Sequence, residues 1–130
     1  MNNPEVIWSP SEELKQECGL RKYMNWLENI KGRSFDDYRS LWQWSVDKEE
    51  DFWESLWEYF DLISYSDYSE VKSSDSMPRV SWFTGAKINY AEHVFRNASE
   101  FYPAIIHKSE HRDTAEISWE ELREKVASVA

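Results

Sequence analysis

Glycine and cysteine are scarce in this sequence. Its 130 residues contain three glycines and one cysteine. The glycines, Gly19, Gly32 and Gly85, are isolated, so neither a G-x-G-x-x-G turn nor a Walker phosphate loop can be formed from them. Cys18 has no partner for an intrachain disulfide, which fits a reducing compartment. A nucleotide cradle within these residues and a disulfide-stabilised secreted fold are therefore excluded.

Basic residues and long apolar runs are also in short supply. Fifteen Lys and Arg stand against 25 Asp and Glu, and the net charge is −10. Such a surface repels phosphate backbones and anionic lipid, so neither nucleic acid nor a membrane surface is expected as a partner. No apolar run approaches the ~20 residues that span a bilayer. Residues 1–17 lack the basic and apolar regions of a secretory signal, so we expect a cytosolic protein.

Large aromatic rings are abundant instead. They make up 16% of the residues and include eight Trp, which is material for a core or an interface. A groove for a sugar or an aromatic ligand is one alternative. The helical spacing of Trp53, Leu56, Trp57 and Phe60 favours a packed helical layer over that alternative.

The first sixty residues are predicted to form helices. Three capping patterns would open them: Ser9 with Glu12, Ser34 with Asp37, and Asp47 with Glu50. One helix should end at Gly32. Apolar residues recur at helical spacing in three stripes: Leu20, Tyr23, Met24, Leu27 and Ile30; Phe35, Tyr38, Leu41 and Trp42; and Phe52, Trp53, Leu56, Trp57 and Phe60.

The second half is predicted to mix a helix, a hairpin and a final helix. Residues 61–79 show no period and are interpreted as a partly mobile surface connection. A helix is expected at 88–97, short strands at 104–106 and 116–117 with a polar turn between them, and a last helix capped by Ser118 and Glu121. The sequence stops on apolar residues, Val129 and Ala130, and we expect a larger protein to continue from there.

Several residues could in principle carry chemistry. His107-Lys108-Ser109-Glu110-His111 matches the H-x-x-E-H pattern of zinc hydrolases, with Glu116 or Glu120 as a third ligand. That chemistry needs a helix, and the flanking residues favour a solvated hairpin tip. Cys18 has no evident base, His93 is interpreted as structural, and most carboxylates lie in first turns of helices, where capping explains them.

Several motifs in order resemble a known family. Residues 82–92, WFTGAKINYAE, resemble the W-F-x-G-x-x-L-N-Y-A-E signature near the start of acetyl-CoA and acetoacetyl-CoA synthetases, the acetoacetyl-CoA branch more closely. Upstream, 38–46 (YRSLWQWSV) and 51–57 (DFWESLW) are similar to the family, and so is 117–122 (ISWEEL) downstream. The resemblance extends from about Trp8 to Ala130.

The resemblance implies an adenylate-forming ligase that uses ATP, Mg²⁺ and CoA on a short β-keto acid. The family's phosphate loop, ribose-binding acid and mobile-domain lysine have no matching positions here, so no catalytic, cofactor-binding or metal-binding residue is assigned. The expected fold class is α+β: a mainly helical N-terminal cap, a short β-hairpin and a C-terminal helix, as an incomplete N-terminal piece of the α/β adenylate-forming fold. The expected domains are 1–100, helical, and 101–130, the start of the AMP-binding domain.

The signature stretch is interpreted as a structural docking element. Trp82 and Phe83 would anchor the following helix on a larger domain, Gly85 would allow the tight turn, and Tyr90 belongs to the same signature. Asn89 and Glu92 would satisfy polar groups at the junction. The expected partner is the remainder of a synthetase chain, with possible self-association through uncovered apolar faces. A stand-alone aromatic-rich interaction module without catalysis remains the alternative.

Overall fold

A computed structural model describes residues 7–74 and 76–129, which form six helices and two antiparallel hairpins. The predicted ranges that begin at residue 1 or end at Ala130 extend outside the described residues at those positions. The mainly helical α+β class predicted from the sequence is confirmed. The elements in chain order are α1 Glu12–Glu17, α2 Gly19–Lys31, α3 Tyr38–Asp47, α4 Glu49–Tyr59, β1 Glu70–Lys72, β2 Trp82–Thr84, α5 Tyr90–Arg96, β3 Ile105–Ser109, β4 Arg112–Ile117 and α6 Trp119–Ala127.

The chain divides into two compact units. Unit 1 comprises Met1–Asp61 and Tyr68–Thr84, and unit 2 comprises Leu62–Asp67 and Gly85–Ala130. The chain therefore passes between the units after residues 61, 67 and 84. The predicted functional boundary near residue 100 stays a prediction.

Unit 1 is built on a small aromatic-rich core. Helices α2 and α3 bury one face each, because their apolar residues recur every three or four positions. Leu27 is inaccessible to solvent and lies at the centre of the cluster. Rings from α4 pack against it, with Tyr59 5.0 Å from Tyr23 between ring centroids. The buried members are Tyr23, Met24, Leu27, Leu41 and Trp44.

One polar pair is buried beside this core. The Tyr23 hydroxyl and Ser55 Oγ lie 2.6 Å apart, and Ser55 Oγ in turn donates to the Phe52 carbonyl at 2.7 Å. Burial raises the pKa of the Tyr23 hydroxyl, and the bond to Ser55 partly offsets that rise. The pair satisfies two hydroxyls that would otherwise be costly to bury.

The ends of the helices differ in part from the prediction. Gly32 ends α2 as expected, with a φ of 64° that suits glycine. However, Ser11 rather than Ser9 caps α1, and Asp37 forms the capping box of α3 with Ser40 rather than with Ser34. Asp47 does not open α4, because it is the last residue of α3 and accepts from Gln43 Nε2 at 2.9 Å. The capping patterns in the sequence thus located each helix start to within a few residues. Which residue caps the helix depends on the hydrogen bonds that nearby side chains form instead.

The β1–β2 hairpin was not predicted. Glu70 pairs with Thr84 and Lys72 with Trp82, inside and beyond the stretch interpreted as a surface connection. Each strand has three residues, too few for alternation to stand out in sequence. Val71 of the first strand is buried, and Lys72 of the same strand forms an ion pair with Glu49 of α4, so two residues tie β1 to the helices of unit 1.

Unit 2 holds α5, the β3–β4 hairpin and α6. Helix α5 is shorter than the predicted 88–97, because Asn89 caps it and Asn97 follows its last turn. The predicted hairpin is confirmed, and its strands extend through most of the polar stretch, leaving Glu110 and His111 as the turn. Ser118 caps α6 as predicted, accepting from the Glu121 amide at 3.1 Å.

Candidate functional site

Trp82 and Phe83, the first part of the predicted docking element, lie on β2 in unit 1. The Phe83 ring packs 4.5 Å from Trp57 and 5.3 Å from Tyr68 between centroids. Trp82 meets Trp53 of α4 edge-on at 5.7 Å. Edge-on and tilted ring pairs of this kind add to the stabilisation from buried area. Strand β2 is therefore held on α4 by aromatic contacts.

Charged groups frame this aromatic layer. Lys72 Nζ lies 5.6 Å from the centre of the Trp82 ring and forms an ion pair with Glu49. The Tyr68 hydroxyl donates to Glu54 Oε1 at 3.0 Å. Burial, followed by the bond to Glu54, raises the pKa of the Tyr68 hydroxyl. These contacts hold the aromatic layer in place, and Lys72 and Glu49 also line the groove beside Trp82.

The outer side of Trp82 borders a shallow groove of ≈ 510 Å³. Trp53 and Met77 line the same groove, and Met77 is 81% exposed. Apart from the Glu49–Lys72 pair and two serines the lining is apolar, and an exposed surface of this kind that includes tryptophan is typical of a contact site for another polypeptide.

Gly85 begins the second part of the docking element, in unit 2. Its φ is 95°, a conformation that other residues rarely adopt, and a Cβ there would meet the Asp67 carbonyl oxygen at 3.5 Å. Ser66 Oγ donates to the Gly85 carbonyl at 2.6 Å. The turn thus needs glycine for its backbone angle rather than for lack of space.

Asn89 and Glu92 make local polar contacts within unit 2. Asn89 Oδ1 accepts from the Ala91 amide at 3.0 Å and so begins α5. The Glu92 carboxylate accepts from the Tyr65 hydroxyl, and this bond raises the pKa of Tyr65. Next to Glu92, His93 Nε2 lies 3.2 Å from the backbone amide and carbonyl of Ile63. Two side chains of α5 therefore bind the segment that precedes the β1–β2 hairpin.

Tyr90 differs from its neighbours because it is 79% exposed. No hydrogen bond from its hydroxyl occurs within residues 7–74 and 76–129. Its ring is available to a partner, while Asn89 and Glu92 are engaged within the unit.

The zinc alternative lacks the geometry it requires. His107 lies on β3 opposite Ala115, and His111 lies in the turn that follows, so the two rings do not share a helical face. Within the described part of the chain, no group of three or more His, Cys, Asp or Glu could hold a metal ion. The same residues contain no helix with the length and apolar character to cross a bilayer.

Known proteins resemble this chain in sequence and in structure. The family described as acetyl-coenzyme A synthetase N-terminus matches residues 38–94, which include every residue of the docking element. Acetoacetyl-coenzyme A synthetase from Rhizobium meliloti (strain 1021) is 29% identical over 98% of the chain, and acetoacetyl-CoA synthetase from Gallus gallus is 29% identical over 97%. The structure of acetoacetyl-CoA synthetase from Streptomyces lividans matches 96% of the chain with a TM-score of 0.86 and 33% identity. The chain is thus similar, in sequence and in structure, to the N-terminal segment of acetoacetyl-CoA synthetases.

This relationship confirms the family resemblance and the partial fold inferred from the sequence. The chain spans about a fifth of the length of these synthetases, 19% of the two curated relatives and 20% of the solved chain. Sequence reasoning missed the partners of the docking residues, Tyr65 and Tyr68, since both lie in the stretch interpreted as a connection. Their alternation with serines and acids gave no periodic signal.

Proposed function

We propose that this chain forms the N-terminal part of a cytosolic enzyme of the acetoacetyl-CoA synthetase type. The carboxylate of acetoacetate would attack the α-phosphate of Mg²⁺-bound ATP, giving acetoacetyl-adenylate and releasing pyrophosphate. The CoA thiolate would then attack the acyl carbon, and AMP would leave. The observation that supports this proposal is similarity to these enzymes along nearly the whole chain, in sequence and in structure.

Within that enzyme we assign the chain a structural role. Its exposed aromatic residues Trp82 and Tyr90 would contact the rest of the synthetase polypeptide. The scarcity of glycine supports the same view, because the phosphates of ATP would have to be bound elsewhere. Residues 1–100 would act as the helical cap and 101–130 as the first part of the AMP-binding domain.

The docking role is tested with Trp82→Ala and Tyr90→Ala in the longer protein. Each variant should lower the melting temperature of the longer protein, and Tyr90→Ala should leave the 130-residue chain within about 0.5 kcal/mol of its parent because an exposed ring contributes little there. Exposed Tyr102→Ala serves as a control for ring removal outside the signature. An unchanged melting temperature for both signature variants would show that the role is wrong.

Catalytic dependence on the remaining polypeptide is tested by calorimetric titration with ATP. The 130-residue chain should give no saturable heat at micromolar ATP. Micromolar affinity for ATP would contradict the structural role proposed for this chain, but it would leave the similarity to the synthetases unaffected.

The exposed aromatic groove beside Trp82 also suits a second candidate, a stand-alone interaction module. The two proposals differ in what the gene encodes after Ala130. An open reading frame with a phosphate loop favours the synthetase, and a stop codon favours the module. Self-association through the same apolar surfaces would accompany the second case.

A further inference from the structure

A second apolar groove shares Ser45 and Phe52 with the groove beside Trp82, but no residue of the docking signature lines it. It has a volume of ≈ 390 Å³ and lies among α2, α3 and α4, all within unit 1. We call it the α2–α4 groove. None of the described residues that line it is charged.

One wall of the α2–α4 groove is a continuous face of α3. Tyr38, Leu41, Trp42 and Ser45 have the spacing i, i+3, i+4 and i+7, so they form a stripe about 10 Å long. Leu41 belongs to the core, but Tyr38 is 64% exposed and Trp42 48% exposed. Two large rings therefore stand at the rim with their outer faces in solvent.

The other wall comes from α4. Phe52, Leu56 and Phe60 are four residues apart and line the groove together with Tyr59. Phe60 is 56% exposed, although its neighbours on the stripe pack inward. The groove thus lies between two helical stripes of similar length, the arrangement into which a further helix packs.

The polar groups of the groove determine what can occupy it. The Tyr23 hydroxyl is bound to Ser55, and Ser45 Oγ donates to the Trp42 carbonyl at 2.8 Å. Besides these two, only Tyr38 and Tyr59 among the described residues bring a hydroxyl to the lining. An extended strand laid here would therefore bury most of its backbone amides and carbonyls without partners, at a cost of several kcal/mol. A helix satisfies its own backbone and presents only side chains. The occupant is therefore a helix with an apolar stripe.

Charge and chain length decide where this helix comes from. Each copy of the chain carries a net charge of −10, so two copies repel each other when they approach. The related synthetases contain about four fifths of their length outside the region matched by this chain, which covers 19% of them. We propose that the α2–α4 groove binds an amphipathic helix from the part of the synthetase chain outside these 130 residues.

The inference rests on the proposed function, because it needs the longer polypeptide. It adds an occupant at a site distinct from Trp82 and Tyr90. The bound helix would be recognised by apolar residues at i, i+3, i+4 and i+7, inserted between the Trp42 and Phe60 rings.

The test is site-specific photo-crosslinking in the longer protein. p-Benzoylphenylalanine replaces Trp42 in one variant and Trp53 in a matched control, a tryptophan of similar exposure (43%) outside the α2–α4 groove. The Trp42 variant should crosslink, within one molecule, to a peptide outside the 130 residues that has the i, i+3, i+4, i+7 pattern. The Trp53 variant should not crosslink to that peptide.

Three results would overturn the inference: a crosslinked dimer from the Trp42 variant, a crosslink to a segment without that pattern, or no crosslink at all. If the Trp42 variant does not fold, the same replacement at Phe60 on the opposite wall gives the decisive result. Acetoacetate-, ATP- and CoA-dependent ligase activity of the unmodified longer protein is measured separately. Activity without the crosslink rejects the groove assignment alone, and the crosslink without activity rejects the proposed function alone.

Discussion

The ring of Phe83 packs 4.5 Å from that of Trp57 while the Phe83 backbone holds a φ of 47°. That backbone conformation costs a side-chain-bearing residue about 1–2 kcal/mol. The contacts with Trp57 and Tyr68 offset this cost. At Phe83 the side chain therefore stabilises the fold, while the backbone conformation destabilises it.

Replacing Phe83 should reveal both effects. Phe83→Ala should lower the free energy of unfolding by roughly 2–3 kcal/mol, since the ring is only partly buried. Phe83→Gly should be at least as stable as Phe83→Ala, because glycine relieves the positive φ. Urea unfolding measures both. At Val71 in β1 the usual order is expected, with glycine about 0.5–1 kcal/mol below alanine. The same order at Phe83 would contradict the strained backbone.

Two glycines offer a matched test of turn chemistry. Gly85→Ala should destabilise the protein by about 1–2 kcal/mol, because its φ of 95° disfavours a Cβ even though the nearest atom is 3.5 Å away. Gly19→Ala should be neutral or stabilising by about 0.4–1 kcal/mol, since no atom lies within 4 Å of the added methyl and the position is helical. Thermal unfolding of the two variants side by side decides, and equal effects would argue against the Gly85 turn.

The Tyr23–Ser55 pair predicts a loss of stability at high pH. Burial holds the pKa of Tyr23 in the folded protein above its value of about 10 in the unfolded chain. The resulting stabilisation is complete below pH 10 and is lost as the pH rises through the folded pKa. Tyr23→Phe should cost about 1 kcal/mol at pH 7 and should unfold with a shallower loss above pH 10.

Chemical denaturation at pH 7, 9 and 11 measures that difference. The exposed Tyr90→Phe variant removes a hydroxyl of the same kind without a buried partner. Parallel pH curves for Tyr23→Phe and the parent would show that the buried pair does not couple folding to proton loss.

The capping box of α3 predicts a loss of stability as the pH falls, whereas the Tyr23–Ser55 pair predicts one as the pH rises. The Ser40 amide, which donates to Asp37 Oδ1 at 2.7 Å, lowers the pKa of the Asp37 carboxyl, and the Ser40 side chain adds to the effect. This stabilisation is present above the unfolded pKa of about 3.9 and is lost as the pH falls through the folded value. Asp37→Asn should therefore show a shallower loss of stability between about pH 5 and pH 2.

Circular dichroism of urea unfolding at pH 7 and pH 3 tests the capping box. Asp36→Asn, one residue upstream, makes the same change of charge outside the cap. If both variants lose stability with acid as steeply as the parent, Asp37 does not act through its bond to Ser40.

Local signals predicted the helices well and their first residues less well. The stripes around Leu27 and Leu41 identified α2 and α3, because helical spacing of apolar residues is visible in any short window. The first residue of a helix depends on which of several nearby side chains accepts a hydrogen bond from the amides of the first turn. Asp47 shows this, since it completes α3 and bonds Gln43 instead of opening α4.

Contacts between distant residues could not be predicted. The β1–β2 hairpin pairs Glu70 with Thr84 through strands of three residues, and no local pattern indicates such a pairing. The docking signature was recognised as a unit from its resemblance to a family. The structure distributes its inner contacts between partners, Trp57 for Phe83 and Tyr65 for Glu92, that lie outside the signature.

The three crossings of the chain between its compact units have a consequence for how this protein can be divided. Because Leu62–Asp67 belongs to unit 2 although Tyr68–Thr84 returns to unit 1, no single cleavage yields one unit intact and free of the other. A truncation after Thr84 keeps a six-residue remnant of unit 2, and a start at Gly85 loses it. Gene fusion or exon exchange at a junction after Thr84 would therefore take Leu62–Asp67 away from the rest of unit 2, and a junction after Asp61 would take Tyr68–Thr84 away from the rest of unit 1.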